Sequence, residues 1–309
     1  MSDFTTYKFI ADEDADRIDV FLSNVYADAS RTYIQKLIKE GHVLLNSKIC
    51  SKSSTKISED DEIILNVPTP IPLEIKPENI PLDIIYEDDD IIIVNKPKGM
   101  VVHPACGHLE GTLVNALLYH CQDCLSGING ILRPGIVHRI DKDTSGSLII
   151  CKNDNAHKNI AEQLKIHSIK RIYLGIINGR LKDCEGTVDI YMDRDKNDRK
   201  KMGVSDPLYG KRAITHYKTV EEFNGYSLVE FRLETGRTHQ IRLAMNYLNH
   251  PLLGDSVYNS PKNKFGIEGQ VLHAKTIGFI HPSKNEYMEF EAPINKEFEN
   301  LINKLRNIN

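Results

Sequence analysis

Apolar residues along this chain come in short bursts separated by polar punctuation, not in long amphipathic runs. In "SRTYIQKLIKEG", residues 30–41, Ile34, Leu37 and Ile38 fall on one helical face. Ser30 suits the N-cap, where its hydroxyl accepts an orphan amide, and Gly41 suits the left-handed position beyond the last turn. "HVLLNSKIC" and "DEIILNV" then read as short strands. From Pro68 to Pro81, five prolines in fourteen positions exclude a helix or a central strand and mark an extended linker. Beyond it, "DIIYEDDDIIIVNK" predicts a hairpin, and "SLIIC", "RIYLGIIN" and "YSLVEFRLE" predict further strands. Helical spacing lies between them, from Thr112 to about Cys121, Asp154 to about His167 and Thr238 to about Leu248. Strands outnumber helices and some connections are short. The pattern predicts an α+β architecture, a mixed, largely antiparallel sheet flanked by helices. The expected division is a small domain over 1–67, a linker over 68–81 and a large domain over 82–309.

Composition changes this picture little. The 309 residues suffice for one large and one small core. A formal net charge of -4 excludes a polycation, so any nucleic-acid contact must rest on local patches. One such patch is visible: Arg31, Lys36, Lys39, Lys48, Lys52 and Lys56 stand against a single acid, Glu40. It reads equally as a solvated face or as a phosphate-binding surface. No run approaches about eighteen apolar residues, so no membrane span is expected. The acidic start "MSDFTTYKFIADEDADRID" lacks the pattern of a signal peptide, which makes the cytoplasm the default compartment; for oligomeric state a monomer is the default. The six cysteines read as reduced thiols. A lone Cys121-Gln-Asp-Cys124 has no second pair to make a zinc site, and no metal is expected.

Four stretches carry the polar chemistry. "VNKPKGMVVHPACG", residues 94–107, is a turn after an apolar strand, with Lys96 and His103 unassigned. "GIVHRIDKDTSG", residues 135–146, crowds His138, Arg139, Asp141, Asp143, Thr144 and Ser145 into a run without helical period. Asp141 beside Arg139 could be a structural ion pair, or an ionised nucleophile or base. "KRIYLGIINGR" sets Tyr173 in a strand, as packing or as a ring that stacks on a base. "LETGRTHQIR" ends a strand at Gly236, and the spacing predicts a helix from about Thr238. Arg237 would then stand at a helix N-terminus, a poor place for a cation unless an anion is held there. Arg242, five residues on, need not share its direction.

Taken in order, "NKPKGMVVHPA", "HRIDKDTSG", "KRIY", "LETGRTHQIR" and "LHA" (272–274) resemble the motifs of the RluA/RluD-type pseudouridine synthases. Ile140 stands where the family usually has leucine. Residues 16–67 are similar to the small RNA-binding domain first described in ribosomal protein S4, with Leu45-Asn46-Ser47 in place of the usual turn "VNG". The resemblance runs from Asp16 to about Pro293 and is closest to the RluD branch.

That resemblance implies an enzyme that isomerises uridine in RNA without metal or other cofactor. The bond from ribose to base nitrogen breaks, the uracil turns, and it rejoins through carbon 5. By resemblance Asp141 is the catalytic carboxylate, attacking the anomeric carbon or removing a sugar proton. Arg237 matches the arginine expected to pair with it, and Tyr173 the tyrosine that packs on the uracil. Arg139 matches a residue that helps extrude the base. His138, Thr144, Ser145 and Arg242 lie in the same motifs as candidate substrate contacts. Arg31, Lys36, Lys39, Lys48 and Lys52 are the candidate RNA contacts of the small domain. The implied partner is structured RNA, large-subunit (23S) ribosomal RNA first, with tRNA as an alternative. "DRDKNDRKKMGVSDPLYGKRA", residues 193–213, is either a surface loop or a second basic contact. A binding-only protein is the rival reading. A hydrolase built on His138 and Asp141 lacks a second placed carboxylate or a metal set.

Overall fold

The computed structural model describes residues 4–69, 75–104, 108–122, 124–130, 133–258 and 264–308. The chain divides into two compact units, 1–72 and 73–309. Residues 70–74, within the expected linker, lie outside the described residues.

The small unit runs β1 (Phe4–Ile10), α1 (Ile18–Val25), α2 (Arg31–Lys39), β2 (Val43–Leu45), β3 (Lys48–Ile49) and β4 (Glu62–Pro68). Its sheet has the order β1-β4-β2-β3. Ser30 caps α2 by accepting from the Tyr33 amide at 3.3 Å, and Gly41 takes φ +81° at the other end. Ile34, Leu37 and Ile38 pack on Val43, Ile63 and Leu65, so the helical stripe meets the inward face of the sheet.

The large unit continues with β5 (Ile84–Glu87), β6 (Ile91–Lys96), α3 (Leu113–Cys121), β7 (Ser145–Cys151), α4 (Asp154–Lys165), β8 (Lys170–Asn178), β9 (Glu185–Arg194) and β10 (Met202–Val204). It ends with β11 (Lys211–Phe223), β12 (Tyr226–Leu233), α5 (Gln240–Tyr247), β13 (Leu272–Ile280), β14 (Tyr287–Glu291) and α6 (Lys296–Arg306). The sheet order is β10-β9-β11-β12-β8-β13-β7-β6-β5, with β14 also on β13. Every pairing is antiparallel except β13 on β7, which pairs in parallel at His273↔Ser145 and Ala274↔Gly146. The α+β expectation therefore holds.

Helices cover both faces, which is why β6 and β7 are apolar without alternation. Ile92, Val94, Leu148 and Ile150 face α3, while Ile91, Ile93, Ile149 and Cys151 face α4. Further along the sheet, Val229, Phe231 and Leu252 pack under α5, and Ile176, Leu228 and Leu253 under α6. Tyr173 packs against both the α3 core and the α5 core. It marks the seam between the two halves of one face.

Gly146 makes that seam possible. Its φ is +111°, and a Cβ there would fall within the backbone of Ala274. The last residue of "HRIDKDTSG" is thus fixed by a close approach of two strands.

Two expectations need correction. The stretch 193–213 is a hairpin, not a loop: it holds the end of β9, all of β10 and the start of β11. Its charged residues are exposed but for the half-buried Asp195 and Lys201, which masks the alternation. Helix α5 begins at Gln240 rather than Thr238, because His239 takes the left-handed conformation at φ +58°. Arg237 is therefore outside the helix, and the dipole argument does not apply to it.

Candidate active site

The "HRIDKDTSG" segment enters β7, and "LETGRTHQIR" leaves β12 and enters α5. These strands lie in different halves of the sheet, yet the two segments meet across the seam. Between them opens a cleft with about 80 Å³ of room for the centres of water molecules. Its walls include Arg139, Asp141, Thr144, Tyr173, Arg237, His239 and Arg242.

The partner of Asp141 is Arg242, not Arg237. Arg242 Nη1 donates to Asp141 Oδ2 at 2.9 Å. Its other edge donates to Asp255, Nε to Oδ2 at 2.7 Å and Nη2 to Oδ1 at 2.8 Å. Asp255 is wholly buried, and its Oδ1 also accepts from the Val257 and Tyr258 amides. Burial works against the charge of Arg242, but Asp255 and then Asp141 outweigh it and raise its pKa. The guanidinium is thus a fixed fork with one prong on Asp141. His239 Nε2 lies 3.8 Å from the same oxygen, and burial lowers the pKa of that ring, so Arg242 supplies the charge held against Oδ2. Among the described residues, none hydrogen-bonds Asp141 Oδ1.

Arg237 faces elsewhere. Its Nε donates to the Arg212 carbonyl at 3.3 Å. It lines both the cleft and an adjoining groove of about 390 Å³ that also takes in Arg194 and Lys211. Gln240 explains this placement. Its Oε1 accepts from Thr235 Oγ1 and from the Arg237 amide, and its Nε2 donates to Ile214 O and Thr215 Oγ1. The buried amide pins the "TGRTH" turn to β11 and leaves Arg242 on the helix face that looks at Asp141.

Tyr173 lies on β8, partly buried, with its ring in the cleft wall. Burial raises its pKa, partly offset by Arg171, with Asp141 raising it further. Thr144 also lines the cleft, and its Oγ1 accepts from Gln270 Nε2 at 3.0 Å. Arg139 is exposed at the rim.

Two motif residues are drawn away from the cleft. His138 Nε2 accepts from the Ile149 amide at 3.0 Å, and burial pushes its pKa down to about 3. It is a neutral brace that ties the loop to β7. Ser145 bonds His273 Nδ1 at 2.9 Å, and His273 Nε2 in turn donates to Ala292 O. Neither is placed as a substrate contact. A third brace is Lys96, which is 1% exposed. Its Nζ donates to Pro97 O, Met100 O and Lys142 O at 2.8–2.9 Å, fixing the residue after Asp141. Burial lowers its pKa to about 7, against the pull of Asp143 and Asp141.

The basic residues of the small unit divide. Arg31 donates to the buried Asp19 at 3.0 Å, so part of its charge is spent within the fold. Arg17 and Gln35 donate to the same carboxylate and hold its pKa well below the usual range. Lys36 lies 3.8 Å from Glu40. Lys39, Lys48 and Lys52 have no acidic partner among the described residues, and Lys48 and Lys52 rim one surface hollow.

Cys121, the last residue of α3, is buried, with its thiol pushed up to about 11 by burial, and Cys124 is exposed. Asp88, Asp90 and His281 cluster elsewhere, but His281 and Lys284 both donate to Asp88 Oδ2, at 2.8 and 2.9 Å. That cluster is closed by its own hydrogen bonds and by the Lys284 ammonium. No helix among the described residues is long and apolar enough to cross a membrane.

Sequence reasoning missed Asp255, Gln240 and His239. Asp255 sits in "LLGD", a turn with no period. The signal that could have found it is the demand of a buried guanidinium for a second carboxylate.

Comparison with known proteins agrees with the geometry. The model of the RNA pseudouridylate synthase family matches residues 90–247, and that of the S4 domain matches 16–63. An RNA pseudouridine synthase of Bacillus subtilis is 48% identical over 295 residues, covering 96% of both chains. Ribosomal large subunit pseudouridine synthase D of Zymomonas mobilis is 43% identical, over 94% of this chain and 93% of its own. Human RNA pseudouridylate synthase domain containing 1 shares the fold at a TM-score of 0.56, with 22% identity over 78% of this chain and 98% of its own. With the family match spanning every wall of the cleft but Leu272, and relatives aligned over almost the whole length, the chain belongs to the RNA pseudouridylate synthase family.

Proposed function

We propose that this enzyme acts on uridine in large-subunit ribosomal RNA, with Asp141 as the reacting carboxylate. The observation that carries the reading is the asymmetry of that carboxylate. Oδ2 is held by Arg242 at 2.9 Å, Oδ1 has no hydrogen bond among the described residues, and Asp141 and Tyr173 line the same small cleft. An oxygen oriented through its partner, with no donor of its own, suits attack on C1′ or removal of a sugar proton. Either route breaks the C1′–N1 bond and forms C1′–C5, with the C5 proton lost and N1 gaining one.

The cleft is narrow and has an aromatic wall, which suits a flat pyrimidine. A uridine must leave its stack to enter, at a cost of about a few kcal/mol. Arg139 at the rim is placed to help hold it out. The groove of Arg194, Lys211 and Arg237 adjoins the cleft and suits the phosphates on one side of the target. Lys39, Lys48 and Lys52 offer a second cationic surface on the S4 unit. The ribosomal assignment rests on relatives named as large-subunit synthases, including those of Zymomonas mobilis and Neisseria meningitidis.

The test uses transcribed large-subunit rRNA and tRNA, each tritiated at C5 of uridine. Tritium release from rRNA alone is expected, and its absence from Asp141→Asn, with RNA affinity kept within a few-fold. Release from tRNA alone would move the substrate. Turnover by Asp141→Asn, free of host enzyme, would refute the role of Asp141.

A further inference from the structure

Tyr258 is fully buried, yet none of the roles above uses it. Packing alone would be served by phenylalanine, but the hydroxyl is heavily engaged. It accepts from the Met202 amide at 2.9 Å and donates to the Met202 carbonyl at 3.2 Å. It also lies 3.3 Å from His239 Nδ1. Met202 begins β10, an edge strand held to β9 by only three residue pairs. One side chain thus takes both backbone groups of a residue in the basic hairpin.

The ring joins the same two regions. Arg242 stands 5.3 Å from its centroid, and Lys201 of the hairpin 5.6 Å. Both distances are within cation–π range. The Tyr258 amide donates to Asp255 Oδ1, the carboxylate that clamps Arg242. Through Arg242 at 2.9 Å and His239 at 3.8 Å, these contacts end on Asp141 Oδ2. The hairpin tip carries Lys196, Arg199, Lys200 and Lys201, groups that phosphates attract.

We propose that Tyr258 is a positioning residue that ties the basic β9–β10 hairpin to Asp141, so that RNA held by the hairpin sets the carboxylate for reaction. This rests on the reading of Asp141 given above. A phosphate that draws Lys201 off the ring leaves Arg242 as its remaining cation, and the backbone bonds to Met202 carry the hairpin's position to the same ring.

The experiment compares native protein, Tyr258→Phe, Lys201→Met and the double variant, all as full chains. Tritium release at saturating rRNA gives the turnover rate, filter binding gives Kd, and melting reports the fold. Tyr258→Phe is expected to keep Kd within about three-fold and to slow the reaction by about ten-fold, the scale of one hydrogen bond. Lys201→Met is expected to slow it at saturating RNA too, by roughly three-fold, with little further loss in the double variant. A phosphate contact without coupling would change Kd alone, so an unchanged saturating rate in Lys201→Met overturns the proposal even where Tyr258→Phe folds poorly. Strictly multiplicative losses, or a Tyr258→Phe rate within two-fold of native, overturn it as well. Asp141→Asn runs alongside: activity there would overturn the underlying reading, a result distinct from the others.

Discussion

Asp255→Asn tests the clamp on Arg242 with the least change in shape. The carboxylate is wholly buried and receives four hydrogen bonds, two from the guanidinium and two from backbone amides. Asparagine keeps one oxygen, which can serve Val257, Tyr258 and Arg242 Nη2. Its NH2 group then faces Arg242 Nε, donor against donor. The variant loses one charge-assisted bond, about 1.5–3 kcal/mol, and leaves a buried donor unmet, about 1–3 kcal/mol. A total near 3 kcal/mol corresponds to a melting temperature lowered by roughly 6–12 °C for a unit of this size. Arg242 keeps its bond to Asp141 but loses the fork that aims it. The single-turnover rate is therefore expected to fall about ten-fold or more, while RNA affinity holds. Calorimetry and tritium release check the two effects. A melting temperature within 2 °C of native would refute the clamp, and a native rate in a destabilised variant would refute the link from clamp to chemistry.

Other perturbations separate the remaining roles. Arg237→Ala is expected to weaken RNA binding and lower the salt slope by roughly one phosphate, with the saturating rate near native; a collapse of that rate at full RNA occupancy would place Arg237 in the chemistry. His138 binds a proton at about 3 when folded, against about 6.5 unfolded. The unfolded chain then holds the extra proton between those values, so stability is full above pH 6.5 and falls as pH drops, and His103, at about 4, adds to the trend. His138→Gln can still accept from Ile149, and urea titrations at pH 5 and 7 should show a shallower slope; an identical slope would sink the assignment. Gly146→Ala sets a Cβ into Ala274 at φ +111° and is expected to cost about 2–5 kcal/mol, measured by denaturant, with a loss under 1 kcal/mol counting against the seam.

Much of this was legible in the chain because local rules act locally. Ser30, Thr112 and Ile34 declared helix starts and faces that the structure keeps. The reacting stretch stood out because apolar strands flank a charged run without period. Arg237 is matched to the pairing role by resemblance, and helical spacing, extended through His239 where the backbone turns left-handed, gives no ground to prefer Arg242. Asp255 pairs with Arg242 through tertiary approach, thirteen positions away with no periodic signal. The charged end of β9 and the edge strand β10 hid behind their own surface residues.

The two-pair contact of β13 with β7 governs the order in which this enzyme can be made. Without β13, the sheet consists of β5-β6-β7 and, separately, β8-β12-β11-β9-β10. Asp141 belongs to the first fragment and Arg242 follows the last strand of the second. Strand β13 begins at residue 272 of 309. A ribosome must therefore deliver the chain past residue 272 before the two charges are locked face to face, and a chain cut short before that strand is expected to fold in pieces and release no tritium. Competence to react arrives with β13, after both halves of the sheet have been made.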